Sequence, residues 1–304
     1  MLRYALMPLI CSLAIAAAPA LHVPVLANSQ GLSAENLKIS LDGKPGSILA
    51  IRGPEAGLVL IVVLDLTQDV DLAGIAREAL LAGIDKLPAN ARIAVMRAQD
   101  GLHVVLDPTG DRAELAAAIR GAPVAGKPGL LDTIETSAQV ADSILSKTAV
   151  RVAVLYVTDS NIYNYRDDYT NPVINSSDSH DMSRRFPEGL VREKISKLES
   201  KLARYQAPLF IVHLVYRDDR LNEAYQAGLA QLAAGAGGSS AFCRSRGEIP
   251  GAIAGALGAI ASHYSVVVAL PDHRRRTVTV QLHQDGKQLA GRSRFVVEES
   301  RGPQ

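Results

Sequence analysis

The sequence predicts an α/β protein: a doubly wound, mostly parallel six-stranded sheet with one antiparallel edge strand, joined to a small β-sandwich made from the two flanks of the chain. Three observations carry this. Leu58 to Leu64 are consecutive Leu, Val and Ile residues, without the polar alternation of a half-exposed strand, which suits a strand covered on both faces. Strand-like runs then alternate with segments of helical period as far as residue 263, the pattern of strands joined by crossover helices. From Tyr264 onward the helical segments stop and only alternating runs remain.

The chain opens with Arg3, an apolar stretch from Tyr4 to about Ala20 and a small-residue exit ending Val25-Leu26-Ala27. That is the layout of a secretory signal peptide over residues 1–27, cut after Ala27, with the Ala18-Pro19-Ala20 triplet as a second candidate. It predicts a periplasmic or secreted protein with no membrane span once the signal is removed. Cys11 follows Ile10 rather than a small residue, which argues against a lipoprotein box. Cys243 is then the one cysteine left, so no intrachain disulfide forms, and beside Phe242 it reads as a small buried hydrophobe.

Leu37 to Leu41 alternates, Asp42-Gly43 signals a turn, and Ser47 to Ile51 returns as a second strand, predicting a hairpin. Gly53-Pro54 separates it from the central strand. After Asp69 the period becomes helical, with Leu72, Ile75, Ala76, Ala79, Leu80, Ile84 and Leu87 on one face. Arg92 to Arg97 and Leu102 to Leu106 flank Gln99-Asp100-Gly101, an antiparallel hairpin at the sheet edge. Asp111 caps a short helix to Arg120. A Gly/Pro loop, Gly121 to Gly129, leads into a helix over Leu130 to about Lys147, and Val150 to Thr158 is another buried strand.

Helix 188–206, strand 208–215, helix 221–234, a short strand at 240–243 and helix 249–263 complete the α/β unit over residues 57–263. Residues 36–54 and 264–298, with Asp285-Gly286 as a hairpin turn, supply the small β-sandwich.

Function classes narrow quickly. Lys and Arg number 32 against 31 Asp and Glu in 304 residues, a formal charge of +1, so no basic face for nucleic acid is implied. With no Trp and 4% aromatics, the chain is poorly equipped for stacking on sugars or bases. No P-loop, dinucleotide fingerprint, Gly-x-Ser-x-Gly elbow or His-Glu-x-x-His motif occurs. Oligomeric state is not legible.

The oxygen-bearing side chains are more telling. The central strand ends in Asp65, Thr67 and Asp69, and Val150 to Thr158 ends in Asp159. Ligands of open α/β sheets bind beyond the carboxyl ends of the strands. Residues 160–187 lack any period and carry Tyr163, Tyr165, Arg166 and Tyr169, a composition enriched at protein interfaces.

Leu58 to Asp69 with the following helix, Leu-Tyr-Val-Thr-Asp-Ser at 155–160, Leu-Ala-Ala-Gly-Ala-Gly-Gly at 232–238 and the tail from His263 together resemble a von Willebrand factor type A domain. The resemblance extends to the exported VWFA-related proteins common in acidobacterial genomes. It implies a metal-ion-dependent adhesion site: Asp-x-Ser-x-Ser, a later Thr and a final Asp holding Mg²⁺ or Mn²⁺ and leaving one position for a partner's carboxylate. Asp65, Thr67 and Asp159 fit that pattern. Asp69 stands where the second Ser belongs, and Pro128, with no ligand oxygen on its side chain, stands where the Thr belongs. Lys127, beside the gap, is placed to neutralise Asp65 and Asp159 without a metal.

Two readings of Asp65, Thr67, Asp69 and Asp159 therefore stay open, a degenerate metal site or caps and turn formers. The functional expectation is an exported, non-catalytic adhesion or scaffold module that meets an unidentified protein partner through this face, with Lys127, Tyr163, Tyr165, Arg166 and Tyr169 as contacts. The rival is a phosphoryl-transfer hydrolase using Asp65 as nucleophile, the layout of haloacid-dehalogenase-like enzymes; those need a second Asp where Thr67 stands.

Overall fold

A computed structural model of the chain describes residues 20–26, 31–165, 187–270 and 276–297. The central sheet contains β5 (Leu58–Asp65), β6 (Ala91–Arg97), β7 (His103–Thr109), β8 (Arg151–Thr158), β9 (Leu209–His213) and β10 (Ser240–Phe242), in the order β10-β9-β8-β5-β6-β7. Every pairing in it is parallel except β6 with β7. This is the predicted doubly wound sheet with its antiparallel edge. β7 runs on through Pro108, tolerable because an edge strand has a free side.

The unbroken apolar run of β5 is explained by its two neighbours in depth. Val59, Ile61 and Val63 face one core with Ile134, Tyr156, Ile195 and Leu229. Leu58, Leu60, Val62 and Leu64 face the other, with Leu80, Leu155, Phe210 and Leu257. The first core lies under α3 (Leu130–Leu145), α4 (Pro187–Leu202) and α5 (Arg220–Gly235), the second under α1 (Val70–Ile84), α2 (Arg112–Gly121) and α6 (Ile249–Ser262). Each fully buried side chain of β5 contributes roughly 1.5–3 kcal/mol, an upper range because unfolded chains already bury some surface.

The flanks pack as two sheets over a third core. One sheet is β1 (Ala20–Val25), β11 (Tyr264–Ala269) and β4 (Ile48–Arg52). The other holds β2 (Leu37–Leu41), β3 (Lys44–Pro45), β12 (Arg276–Gln284) and β13 (Lys287–Gln288), and β14 (Arg294–Val297) also pairs with β12. Leu21, Val23, Ile39, Leu41, Val266, Val268, Val280 and Phe295 meet between them.

One expectation needs correcting here. β2 and β4 are not partners in one hairpin: β2 turns at Asp42-Gly43 onto the two-residue β3, and β4 crosses to pair with β11. Pro45 breaks the returning strand, and Gly46 lies against Ile39 and Leu41 where the chain leaves the sheet. The two cleavage sites expected in the first 27 residues differ in what they leave of the fold. Ala20–Val25 is a strand, paired in register from Ala20 with Ala269 to Val25 with Tyr264, and Leu21, Val23 and Val25 are buried. A cut after Ala27 would remove it. A cut after Ala20 leaves Leu21 to Val25 whole; residues 1–19 lie outside the described residues.

Two buried arginines close the end of the sheet away from Asp65. Arg151, at the start of β8, donates from Nη1 to the carbonyls of Ala261 and His263, both at 2.9 Å, and from Nη2 to Pro54 (3.0 Å) and Ala56 (3.2 Å). It thereby satisfies the last turn of α6 and the linker before β5 together. Arg292, from the flanking module, donates to the carbonyls of Ala203 (2.8 Å) and Tyr205 past the end of α4, and stacks 4.0 Å over Phe295. Burial pulls the Arg292 guanidinium down to about 10, and Asp142 opposes that pull.

Candidate functional site

β5 and β8 run side by side in register, Leu58 opposite Arg151 and Asp65 opposite Thr158. The acid ending each strand therefore reaches one rim. Asp65 is fully buried. Its Oδ1 accepts the Gly129 N–H at 2.9 Å and its Oδ2 the Thr158 hydroxyl at 2.9 Å. Gly129 is required there, because a Cβ would stand 1.7 Å from the Ala98 carbonyl oxygen. Burial pushes the Asp65 carboxyl up to about 6, against the pull of these hydrogen bonds, and neighbouring Asp159 pushes the same way. Behind it runs a hydroxyl chain: Thr158 to Ser160 at 2.7 Å and Ser160 to Tyr225 at 3.2 Å.

Asp159 is bound by the loop between β5 and α1. Its Oδ1 accepts the Thr67 N–H (2.7 Å) and hydroxyl (3.1 Å), and its Oδ2 accepts the N–H groups of Gln68 (3.0 Å) and Asp69 (3.1 Å). Three successive amides at the entrance to a helix form an anion-binding concavity, and here the anion is a side chain of the protein. Asp69 caps α1, its Oδ1 accepting from Asp71 N–H (2.9 Å) and Leu72 N–H (3.1 Å). Its Oδ2 is 3.6 Å from Arg246, which also lies 3.5 Å from Asp71.

A hard divalent cation needs about six converging oxygens. All four carboxylate oxygens of Asp65 and Asp159 accept hydrogen bonds from the protein. The capping oxygen of Asp69 faces the amides of α1, and Pro128 offers no side-chain oxygen. Among the described residues no group of three or more His, Cys, Asp or Glu is placed to hold a metal ion. The donor set does not fit Mg²⁺ or Mn²⁺.

The expected partner contacts separate. Tyr163 is 50% exposed, with its hydroxyl donating to Asp219 at 3.0 Å. Tyr165, one of the expected contacts, is instead core at 5% exposure: its ring lies 6.0 Å from that of Tyr225 and its hydroxyl accepts the Leu131 N–H. The 3-10 turn Ile162–Tyr165 folds it inward, anchored by Ile162 N–H on Asn222. Lys127 is exposed, its backbone is tied to Asp100, and its ammonium makes no ion pair with Asp65 or Asp159. Arg166 and Tyr169 lie outside the described residues.

Sequence reasoning did not single out Gln68, Val70 or Arg246. Gln68 hydrogen-bonds Asn164 and Asn161, joining the Thr67–Asp69 loop to the Tyr163 turn. Val70, 67% exposed in the first turn of α1, is an apolar side chain left out of the core. Its position just outside the helical stripe was the available signal. His213 lies in the core as expected, with Nε2 2.7 Å from the Ser160 carbonyl and a pKa that burial pulls down to about 4.

No family model and no curated protein matches the chain. Among solved structures it is similar to the PilB minor pilin of Streptococcus sanguinis, at TM-score 0.47 and 10% identity over 68% of this chain, and it spans only 61% of the pilin's length. A von Willebrand factor type A protein of Catenulispora acidiphila gives 0.43 and 12% over 88% of this chain and 76% of that one. The vWF domain of the type V pili tip protein Mfa5 of Porphyromonas gingivalis gives 0.42 and 12% over 67% and 95%. The fold rests on strand order and register. With helices on both faces, one antiparallel edge and two acid-tipped central strands side by side, the α/β unit has the von Willebrand factor A-like architecture.

Proposed function

We propose that the protein is an exported, non-catalytic binding module that meets a protein partner through the face at the carboxyl ends of its sheet strands, without a divalent cation at the contact. The observation that carries this reading is the contrast between locked acids and free surface on one face. Asp65 and Asp159 are consumed by hydrogen bonds inside the rim, whereas Val70 and Tyr163 stand out from it, 67% and 50% exposed. An apolar side chain and a Tyr on a braced loop offer contact area at small entropic cost. A phosphoryl-transfer role is opposed by the same geometry. A nucleophile must reach substrate, and Asp65 is fully buried with both oxygens engaged.

Export is part of the reading, with processing after Ala20 in place of Ala27 so that β1 is kept. The test is capture from the native envelope fraction by the immobilised protein, quantified against Val70→Glu/Tyr163→Ala. Loss of about tenfold or more of a partner's retention is expected, as for two interface anchors. Equal capture by both proteins moves the contact elsewhere. Turnover of a phosphate ester that disappears in Asp65→Asn would replace the reading with the hydrolase.

A further inference from the structure

The acids of the rim are answered in two different ways. Asp65 and Asp159 meet N–H and hydroxyl groups. Asp69 and Asp71 meet a guanidinium: Arg246 sets Nη2 3.6 Å from Asp69 Oδ2 and Nη1 3.5 Å from Asp71 Oδ2. Arg246 opens the 3-10 turn Arg246–Glu248 that leads into α6. That turn is itself tied down, because Glu248 accepts the Arg244 N–H at 2.9 Å and the Ser245 hydroxyl at 3.3 Å. α6 in turn packs on α1 where Leu257 fills the space over Gly83. The guanidinium therefore comes to the loop from a fixed direction.

We propose that Arg246 is the resident cation of this rim: its guanidinium neutralises the loop between β5 and α1 in place of a divalent ion, and the loop is set without metal. Three departures point the same way. A carboxylate at Asp69 replaces a neutral hydroxyl and adds charge that needs an answer. The Pro128-Gly129 turn gives Asp65 a backbone amide where a ligand oxygen would otherwise stand. Arg246 then supplies positive charge at Asp69 and Asp71, with two N–H forks that suit paired carboxylates better than a point charge does. Lys127 has no such pairing among the described residues, and Arg217, which lines the same hollow as Asp69, Asp71 and Asp159, makes no ion pair with them. The inference holds whether or not the face binds a protein.

Thermal unfolding of the purified protein in EDTA and in about 5 mM MgCl₂ or MnCl₂ at matched ionic strength decides it. The expected midpoints agree to about 1 °C, since an ion without a site on the folded state shifts nothing. An ion completing the rim with a dissociation constant near 50 µM would raise the midpoint by roughly 5–10 °C, and such a rise overturns the proposal. Arg246→Met is expected to lower the midpoint by about 1–3 °C at low salt. Added NaCl should recover much of that loss by screening Asp69 from Asp71, and Arg246→Lys, which keeps the charge but not the fork, should retain only part of the effect. A midpoint that Arg246→Met leaves unmoved at low salt overturns the proposal equally.

Discussion

The two ends of the central sheet treat buried charge in opposite ways. At the carboxyl end the buried ions are anions, Asp65 and Asp159, held by amides at the entrances to α3 and α1. At the other end they are cations, Arg151 and Arg292, held by carbonyls at the exits of α6 and α4. Both obey one rule, that unpaired N–H groups gather at helix starts and unpaired C=O groups at helix ends. The difference lies in what is joined. The rim carboxylates tie loops within the α/β unit, whereas at the base Arg292 ties that unit to the flanking sandwich and Arg151 fixes the two linkers that lead to it. Charge at the base should therefore matter most to stability, and charge at the rim most to loop order.

The sharpest way to break this contrast is to remove a piece of the base outright. A chain starting at Asn28 lacks β1, and with it Leu21, Val23 and Val25, each fully buried in the sandwich core. At roughly 1.5–3 kcal/mol per side chain, this costs about 5–9 kcal/mol, comparable to the stability of a whole domain. Limited proteolysis should show the flanks digested and the α/β unit retained, against protection of both in a chain starting at Leu21. Equal protection would mean that β1 contributes little. Arg151→Met comes next. It keeps the apolar stem but leaves the carbonyls of Pro54, Ala56, Ala261 and His263 without their donor. A loss of about 3–5 kcal/mol in urea unfolding is expected, and a loss under about 1 kcal/mol would mean that water replaces the guanidinium freely.

Much of the rim was legible in the sequence and little of the base, for a physical reason. Leu58 to Asp65 carries its own signature, because a strand covered on both faces must be apolar at every position and its acid then marks where cover ends. Asp42-Gly43, Asp100-Gly101 and Asp285-Gly286 were equally plain, and all six residues adopt positive φ, which few other pairs adopt cheaply. Arg151 sits inside an apolar run, where nothing local distinguishes a solvated end from a buried tether. Its partners are carbonyls of Pro54, Ala56, Ala261 and His263, far away in the chain and uninformative in residue type. β1 was hidden differently: an alternating strand placed directly after an apolar stretch continues that stretch's pattern. Tyr165 and Tyr163 look alike in sequence, and only the turn at Ile162 sends one inward and the other out.

The smallest expected effect sharpens the contrast within the rim itself. Asp159→Asn leaves the shape of the side chain but turns an amide nitrogen toward the N–H groups of Thr67, Gln68 or Asp69, at a cost of about 2–4 kcal/mol. Asp65→Asn should cost less than about 1.5 kcal/mol at pH 7, because burial already disfavours the ionised form and holds its pKa up to about 6. The sign follows from proton binding. Set against an ordinary carboxyl value of 3.8, the folded state holds this proton more tightly than the unfolded chain does. Asp65 therefore favours folding at acid pH, and that contribution is lost as pH rises through 6. Relative to wild type, Asp65→Asn should gain about 3 kcal/mol between pH 4 and pH 7, the order of magnitude set by a shift of about two units. His213 and His263, pulled down to about 4 by burial, favour folding at neutral pH, but they are common to both proteins and drop out of the difference. Urea midpoints at pH 4.5, 5.5 and 6.5 give that difference curve. A curve that is flat or falls with pH would mean that Asp65 is as well solvated by its hydrogen bonds as it would be in water, and that the rim carries its anions at no cost.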